Sequence, residues 1–418
     1  MSGLRFCFLT TFYPPYNFGG DGIAVQRLAH GLARAGHHVT VVHDADAFRT
    51  LSATVPVAEH TPEPPGIEVV RLESPVGALS VVLTQQFGRP VVHGRRIAAL
   101  LRDGAFDVIH FHNISLVGGP GLLRYGRGLK LYTAHEHWLV CPTHVLWRYG
   151  RELCTGRDCL RCQLTYRRPP QLWRYTGLLE RELRHVDLLI AMSEFSRLKH
   201  AEFGLAREMA VLPSFIEDVG PLGEPTTATP QARPFFLFVG RLEQLKGVED
   251  LFVHFEGEGT TDLLIAGDGT YAPTLRSLAE RLPRVRFLGR VANEDLAPYY
   301  QHTLGLVVPS RCYETFGIVL LEAFRHATPV IARRIGPYPE LIETSGGGAL
   351  YESKDELAAA FSRFESDVAL RARFGAAGRA AFERHWTEQV VIPEYLRLVR
   401  SAAEHKGDAR LASLIGRN

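Results

Sequence analysis

Short apolar runs alternate along the chain with stretches of helical period. Leu4 to Thr10 reads as a first strand, and Tyr13 to Gly22 as a Pro/Gly-rich loop. A helix is predicted from about Ile23 to Ala35, with Val25, Leu28, Ala29 and Leu32 on one face and Gly36 as its stop. Val39–Val42, Ile67–Leu72, Val108–Phe111, Leu129–Thr133 and Leu188–Ala191 continue the strand series, and Ala210–Pro213 closes this half. Glu217–Pro230 is rich in Pro, Gly and Thr and reads as a linker. The alternation then restarts with Phe235–Val239, Leu263–Ala266, Val285–Leu288, Gly305–Val308 and Pro329–Ala332. The tail beyond about His405 is polar and is expected to fray.

Strands alternating with helices predict an α/β fold of two Rossmann-like, doubly wound parallel-sheet domains facing a central cleft. The first is placed at residues 1–216, with an insertion at about 138–170 and a returning helix at about 387–405, where Val390, Val391, Ile392, Tyr395, Leu396 and Val399 carry the apolar stripe. The second spans residues 217–386. A chain of 418 residues has ample material for two cores. Its net charge of +2 gives no general electrostatic reason to bind nucleic acid. No run approaches the roughly 18 apolar residues of a membrane-spanning helix. Phe6–Leu9 is too short for a signal segment, so the expected compartment is the cytoplasm, where thiols stay reduced.

Candidate chemistry is densest in the second half. Gly240, Arg241 and Lys246 follow a predicted strand, where Arg could grip a diphosphate as a fork and Lys as a compact charge. Gly267 sits in a tight Ala266-Gly267-Asp268-Gly269 turn after another strand. Pro309-Ser310 leads through Glu314 to a helix starting near Gly317, whose free amides and positive dipole end suit a phosphate. Glu322, one to two turns inside, is flanked by Val319, Leu320, Leu321, Ala323 and Phe324; a carboxylate there needs a partner, such as paired ribose hydroxyls or a neighbouring Arg. Ile331 to Ile342, a strand leading into a Gly/Pro turn and another helix, could wall the site.

The order and spacing of these pieces resemble glycosyltransferase family 4 of the GT-B superfamily, over nearly the whole chain. The Glu314-x7-Glu322 pair behind a Pro-Ser turn is similar to that family's signature, and Gly240-Arg241-Leu242 with Lys246-Gly247 to its diphosphate clamp. The resemblance implies a retaining enzyme that moves a sugar from a nucleoside-diphosphate sugar to an acceptor hydroxyl, without a catalytic divalent metal. It implies that Arg241 and Lys246 bind the diphosphate and that Glu314 contacts sugar hydroxyls. Amides of Phe316, Gly317, Ile318 and Val319 would meet sugar and phosphate, Glu322 would hold the ribose, and Arg290 would flank the base. In the first half it implies that the Gly19-Gly20 loop approaches the donor. It also implies that His135 positions the sugar and serves transition-state electrostatics. His110 and His112 are secondary candidates, alternatively buried structural groups.

The least family-typical feature is Cys141, Cys154, Cys159 and Cys162, spaced C-x12-C-x4-C-x2-C. Four soft thiolates in a reducing compartment point to a metal, either a tetrahedral zinc or an iron–sulfur cluster, since the last three cysteines match a plant-type run. Free thiols or a disulfide are the alternative. Arg167, Arg168, Arg174, Arg181 and Arg184 with Trp173 and Tyr175 read as a solvated face, with weak peripheral contact at the inner membrane face as the sharper option. Three rivals are a GT-A transferase chelating metal through Asp44 and Asp46, a nucleotide-sugar epimerase on the same fold, and a nucleic-acid-binding module built on the cysteines. The base, sugar, acceptor and oligomeric state stay open.

Overall fold

The computed structural model describes residues 3–52, 62–218, 220 and 229–415. In the linker segment Glu217–Pro230, positions 219 and 221–228 lie outside the described residues. The chain forms two compact units. One comprises Met1–Gly150, Cys154–Ser214 and Gln389–Asn418, the other Arg151–Leu153 and Phe215–Glu388.

The main sheet of the first unit has seven strands: β1 (Arg5–Leu9), β2 (His38–Asp44), β3 (Ile67–Leu72), β4 (Val108–Phe111), β5 (Leu129–Ala134), β6 (Leu188–Ala191) and β7 (Ala210–Val211). They lie in the order β3-β2-β1-β4-β5-β6-β7. The pairing is parallel throughout, with Phe6 opposite Val39 on one side and Val108 on the other. Every residue of β4 and β5 is buried. Successive side chains of a strand point to opposite faces, so both faces of the sheet centre are covered, the usual situation of a parallel sheet. Leu9, Phe111, Ile114, Tyr132 and Trp138 share one continuous core.

The second unit repeats the scheme with β8 (Phe235–Val239), β9 (Asp262–Ala266), β10 (Val285–Gly289), β11 (Leu306–Val308), β12 (Val330–Arg333) and β13 (Gly348–Tyr351). Its order is β10-β9-β8-β11-β12-β13, again all parallel. Phe236, Phe238, Leu263, Val307 and Ile331 centre its core. In both units the order reverses beside the first strand, at β1/β4 and at β8/β11. Such a switch point opens a crevice outside the carboxyl ends of the two strands.

Three details differ from the sequence expectation. The first helix begins at Gly20 rather than Ile23. β13 has no counterpart in the sequence reading; it starts at Gly348, and Tyr351 is its one buried residue. Within the tail beyond His405, Ala409–Ile415 is a helix that buries Leu411 and Ala412, and positions 416–418 lie outside the described residues. The preceding helix, Glu388–Lys406, belongs to the first unit and buries Val391, Ile392, Tyr395 and Val399.

Candidate active site

In the second unit the expected residues collect at the switch point. Gly240–Lys246 follows β8, and the loop from Pro309 to Gly317 follows β11. Lys246 Nζ and a carboxylate oxygen of Glu314 form a close ion pair, both side chains about three-quarters or more buried at 19% and 25% exposure. Burial opposes the charge on Glu314, but the Lys246 ammonium outweighs it and holds the carboxyl below its ordinary value. The same pairing overcomes burial to raise Lys246. Glu314 is therefore a fixed carboxylate of low basicity, suited to accepting hydrogen bonds. The Cys312 thiol points at it from 3.7 Å. Arg241 is largely exposed and reaches Glu243 at 2.9 Å, leaving it able to swing to a ligand.

Close backbone approach sets the floor of this crevice. Gly267, at the end of β9, has φ +147, and a Cβ there would stand 1.9 Å from the Gly240 carbonyl oxygen at the end of β8. Gly317 has φ +122 and packs on Tyr338, whose hydroxyl donates to Ser310 at 3.2 Å. The helix Ile318–Arg325 starts from Gly317, which has no side chain to cap it, and its leading amides lie just past the carboxyl end of β11. Phe316 is buried, while Ile318 and Val319 are partly accessible.

Glu322 has a partner that sequence reading did not find. The Tyr300 hydroxyl donates to Glu322 Oε2 at 2.9 Å. No pattern around Tyr299-Tyr300 distinguishes one tyrosine from the other before folding. Arg290 is exposed just past β10, two strands away from β8 in the sheet, and so stands apart from the Lys246–Glu314 pair.

In the first unit, Gly19 is the extended N-cap of the helix Gly20–Arg34, and Asn17 Nδ2 donates to its carbonyl at 2.6 Å. Gly19 has φ −179, a conformation open to any residue, so chain freedom does not explain the pair. Asn113, two residues past β4, donates to Asp21 in the first turn of that helix at 3.1 Å. This contact ties the two switch-point loops together and carries no local sequence signal. His135 directly follows β5, and its Nε2 lies 2.9 Å from His112 Nδ1. Burial lowers His135 to about 4, against a weaker opposing pull from Glu136, so the imidazole is neutral at pH 7. His110 takes the structural alternative: it is fully enclosed between Thr133 Oγ1 at 2.8 Å and the Tyr395 hydroxyl at 3.0 Å.

The sequence matches the family described as Glycosyltransferase Family 4 over residues 18–218 and that described as Glycosyl transferases group 1 over residues 224–381. The chain belongs to glycosyltransferase family 4. A glycogen synthase of Mycobacterium tuberculosis is 28% identical over 410 residues, covering 93% of this chain and 92% of that protein. Sucrose-phosphate synthase from Thermosynechococcus elongatus superimposes with a TM-score of 0.74 at 21% identity, covering 95% and 98% of the two chains. HepE from Anabaena, solved in complex with UDP-glucose, gives 0.65 at 18% identity over 95% of this chain and 100% of its own. The fold is that of the GT-B glycosyltransferases.

For this glycosyltransferase the GT-B fold sets the GT-A rival aside, although ligand atoms of Asp44, Asp46 and His93 lie within 4.8 Å of one another. Asp44 accepts from the Ala47 amide at 3.1 Å as the cap of the helix Ala45–Leu51. Asp46 accepts from Ser74 Oγ at 2.6 Å and contacts His93 Nε2 at 3.2 Å. Both acids are buried. The basic aromatic stretch is not a uniform solvated face either, because the Arg174 guanidinium lies over Trp138 and Trp173 at 5.2 and 4.6 Å. The four cysteines are free thiols, Cys141 and Cys162 buried, Cys154 and Cys159 partly so. Burial raises the last three thiols named in that series, Cys154, Cys159 and Cys162. Among the described residues no three of the four sulfurs all lie within 4.8 Å of one another, so the closed cluster expected from the spacing is not shown. Among the described residues no helix is long and apolar enough to cross a membrane.

Proposed function

We propose that this glycosyltransferase is a retaining enzyme that takes its sugar from a nucleoside-diphosphate donor and passes it to an acceptor hydroxyl. The observation that carries the reading is the Lys246–Glu314 ion pair standing at the β8/β11 switch point beside the uncapped start of the helix Ile318–Arg325. A cation, a helix N-terminus begun by a glycine and a carboxylate of low basicity together match a diphosphate joined to a polyhydroxyl ring. HepE, of the same fold, was solved with UDP-glucose.

In this reading residues 217–386 bind the donor and residues 1–216, with the returning helix at about 387–405, serve the acceptor. Lys246, the mobile Arg241 and the amides from Phe316 to Val319 receive charge as the C1–O bond to the diphosphate breaks. One aimed donor of this kind is worth about 3 kcal/mol in the transition state. Glu314 holds sugar hydroxyls, and Glu322, oriented by Tyr300, holds the ribose. Gly240 and Gly267 keep the backbone low enough for the phosphates, and Arg290 flanks the base. The neutral His135 donates a hydrogen bond to the sugar, supported on its other nitrogen side by the histidine pair with His112. The Gly19-Gly20 loop closes on the donor. The route is front-face attack, and no protein nucleophile is assigned. The acceptor oxygen bonds to C1 from the face the diphosphate leaves, and its proton passes to the departing phosphate oxygen.

A screen of UDP-, GDP- and TDP-sugars for slow donor hydrolysis tests this directly. One donor should be cleaved, without added divalent metal. Glu322→Gln should raise that donor's KM roughly ten- to a hundred-fold, the worth of a hydrogen bond to a charged group, with little change in melting temperature. Normal kinetics in this variant, or no hydrolysis of any sugar nucleotide, overturns the assignment.

A further inference from the structure

The segment between Trp138 and Tyr175 folds against the usual direction of burial. Its helix Cys159–Thr165 turns Cys162 and Gln163 inward. The leucines of the same helix, Leu160 and Leu164, are 46% and 59% exposed. Apolar burial would favour the opposite orientation by about 2 kcal/mol per leucine. Another interaction must select the cysteine face.

Cys141, Cys154, Cys159 and Cys162 supply it. All four line one cavity of about 20 Å³, enough room for a single ion or water-sized sphere and no more. The contacts around the sulfurs are those that support metal-bound thiolates. The Tyr149 amide points at Cys162 Sγ from 3.4 Å, and Thr143 Oγ1 lies 3.3 Å from Cys141 Sγ. Positive charge is at hand: Arg148 acts on Cys154 and Cys162, and Arg174 on Cys159. Two guanidinium groups balance the net charge of four thiolates around a divalent ion.

We propose that Cys141, Cys154, Cys159 and Cys162 bind one zinc ion as thiolates and so staple this segment of the first unit. The donor set is soft and four in number, which is what a closed structural zinc site takes. Binding releases four thiol protons to solvent and leaves a doubly negative tetrathiolate. Sulfurs about 2.3 Å from one ion stand about 3.8 Å apart. Since no three of these sulfurs, among the described residues, all lie within 4.8 Å, zinc draws them inward and tightens the chain between them.

The test uses the full chain purified without chelator. Metal analysis should find about one zinc per chain and no visible absorption band. The four thiols should resist a thiol reagent until a chelator is added. Chelation should also speed proteolytic cutting between residues 138 and 175 by about tenfold, and zinc alone should reverse it. Cys154→Ser and Cys162→Ser should each weaken zinc binding at least about tenfold. If those variants do not fold, the chelator experiment on the unaltered chain still decides. A metal-free chain with four freely reactive thiols overturns the proposal, and so does iron with a visible chromophore in place of zinc. None of these readouts depends on sugar transfer.

Discussion

Lys246 and Arg241 carry the same charge on neighbouring positions, yet their surroundings assign them different weights. Lys246 is paired with Glu314 and enclosed, whereas Arg241 is 58% exposed in its side chain. Lys246→Ala should lower kcat/KM by about 10²–10³, because it removes a donor fixed before the reaction. It should also cost stability of about 1 kcal/mol, since Glu314 is left charged without its partner. Arg241→Ala should lower kcat/KM while leaving the melting temperature unchanged. Paired kinetic and melting measurements on the two variants check both halves; an equal loss of stability in both would contradict the division. The pH sign follows from the pair. Glu314 is held below its ordinary value, so its contribution is present above about 4.3, the unfolded carboxyl value, and disappears as pH falls through the lowered folded value.

At the scale of strands and helices, the ends of β8 and β9 are held at a distance only glycine permits. Gly267→Ala would drive a methyl to 1.9 Å from the Gly240 oxygen, in a backbone conformation that L residues avoid. We expect a loss of at least about 2 kcal/mol, read as a lowered urea midpoint. Gly289→Ala, at φ +71 with nothing within 4 Å of a new Cβ, should cost only the backbone strain of about 1 kcal/mol. Comparable midpoints would remove the argument from close approach. The same elements show why sequence reading succeeded where it did. β8, β11 and the helix at Ile318 are each a local signal, an apolar run followed by Gly or Pro, and their functional residues sit within a few positions of that signal. Tyr300 beside Glu322, Asn113 beside Asp21 and Tyr395 beside His110 are joined by tertiary packing across long stretches of chain, which no local pattern encodes. The terminal helix Ala409–Ile415 was missed for a related reason: it is only seven residues long, and Leu411 and Ala412 are buried by packing that no local pattern encodes.

Across the whole molecule, buried neutral histidines are unevenly shared. His43 and His135 are each lowered to about 4 by burial, and His110, His112, His37 and His200 are lowered as well, all in the first unit. The second unit has His326, lowered to about 4, with smaller shifts at His254 and His385. A lowered histidine binds its proton more readily when unfolded, so stability falls as pH drops from about 6.5 toward the folded value. One moved from 6.5 to about 4 removes about 3 kcal/mol once pH is below both. Asp44 works the other way: burial raises it to about 7, so the folded state gains a proton, and stability, on the same descent. That offsets roughly one histidine and leaves the rest of the first unit's set unbalanced. The first unit should therefore unfold at a higher pH than the second during acid titration. Trp138, Trp147 and Trp173 lie in the first unit and Trp386 in the second, so tryptophan emission reports chiefly on the first. Its change should begin below about pH 6 and precede the loss of protection from hydrogen exchange at β8 and β11. Simultaneous transitions, or a first unit that outlasts the second, would show that these histidines do not govern acid stability.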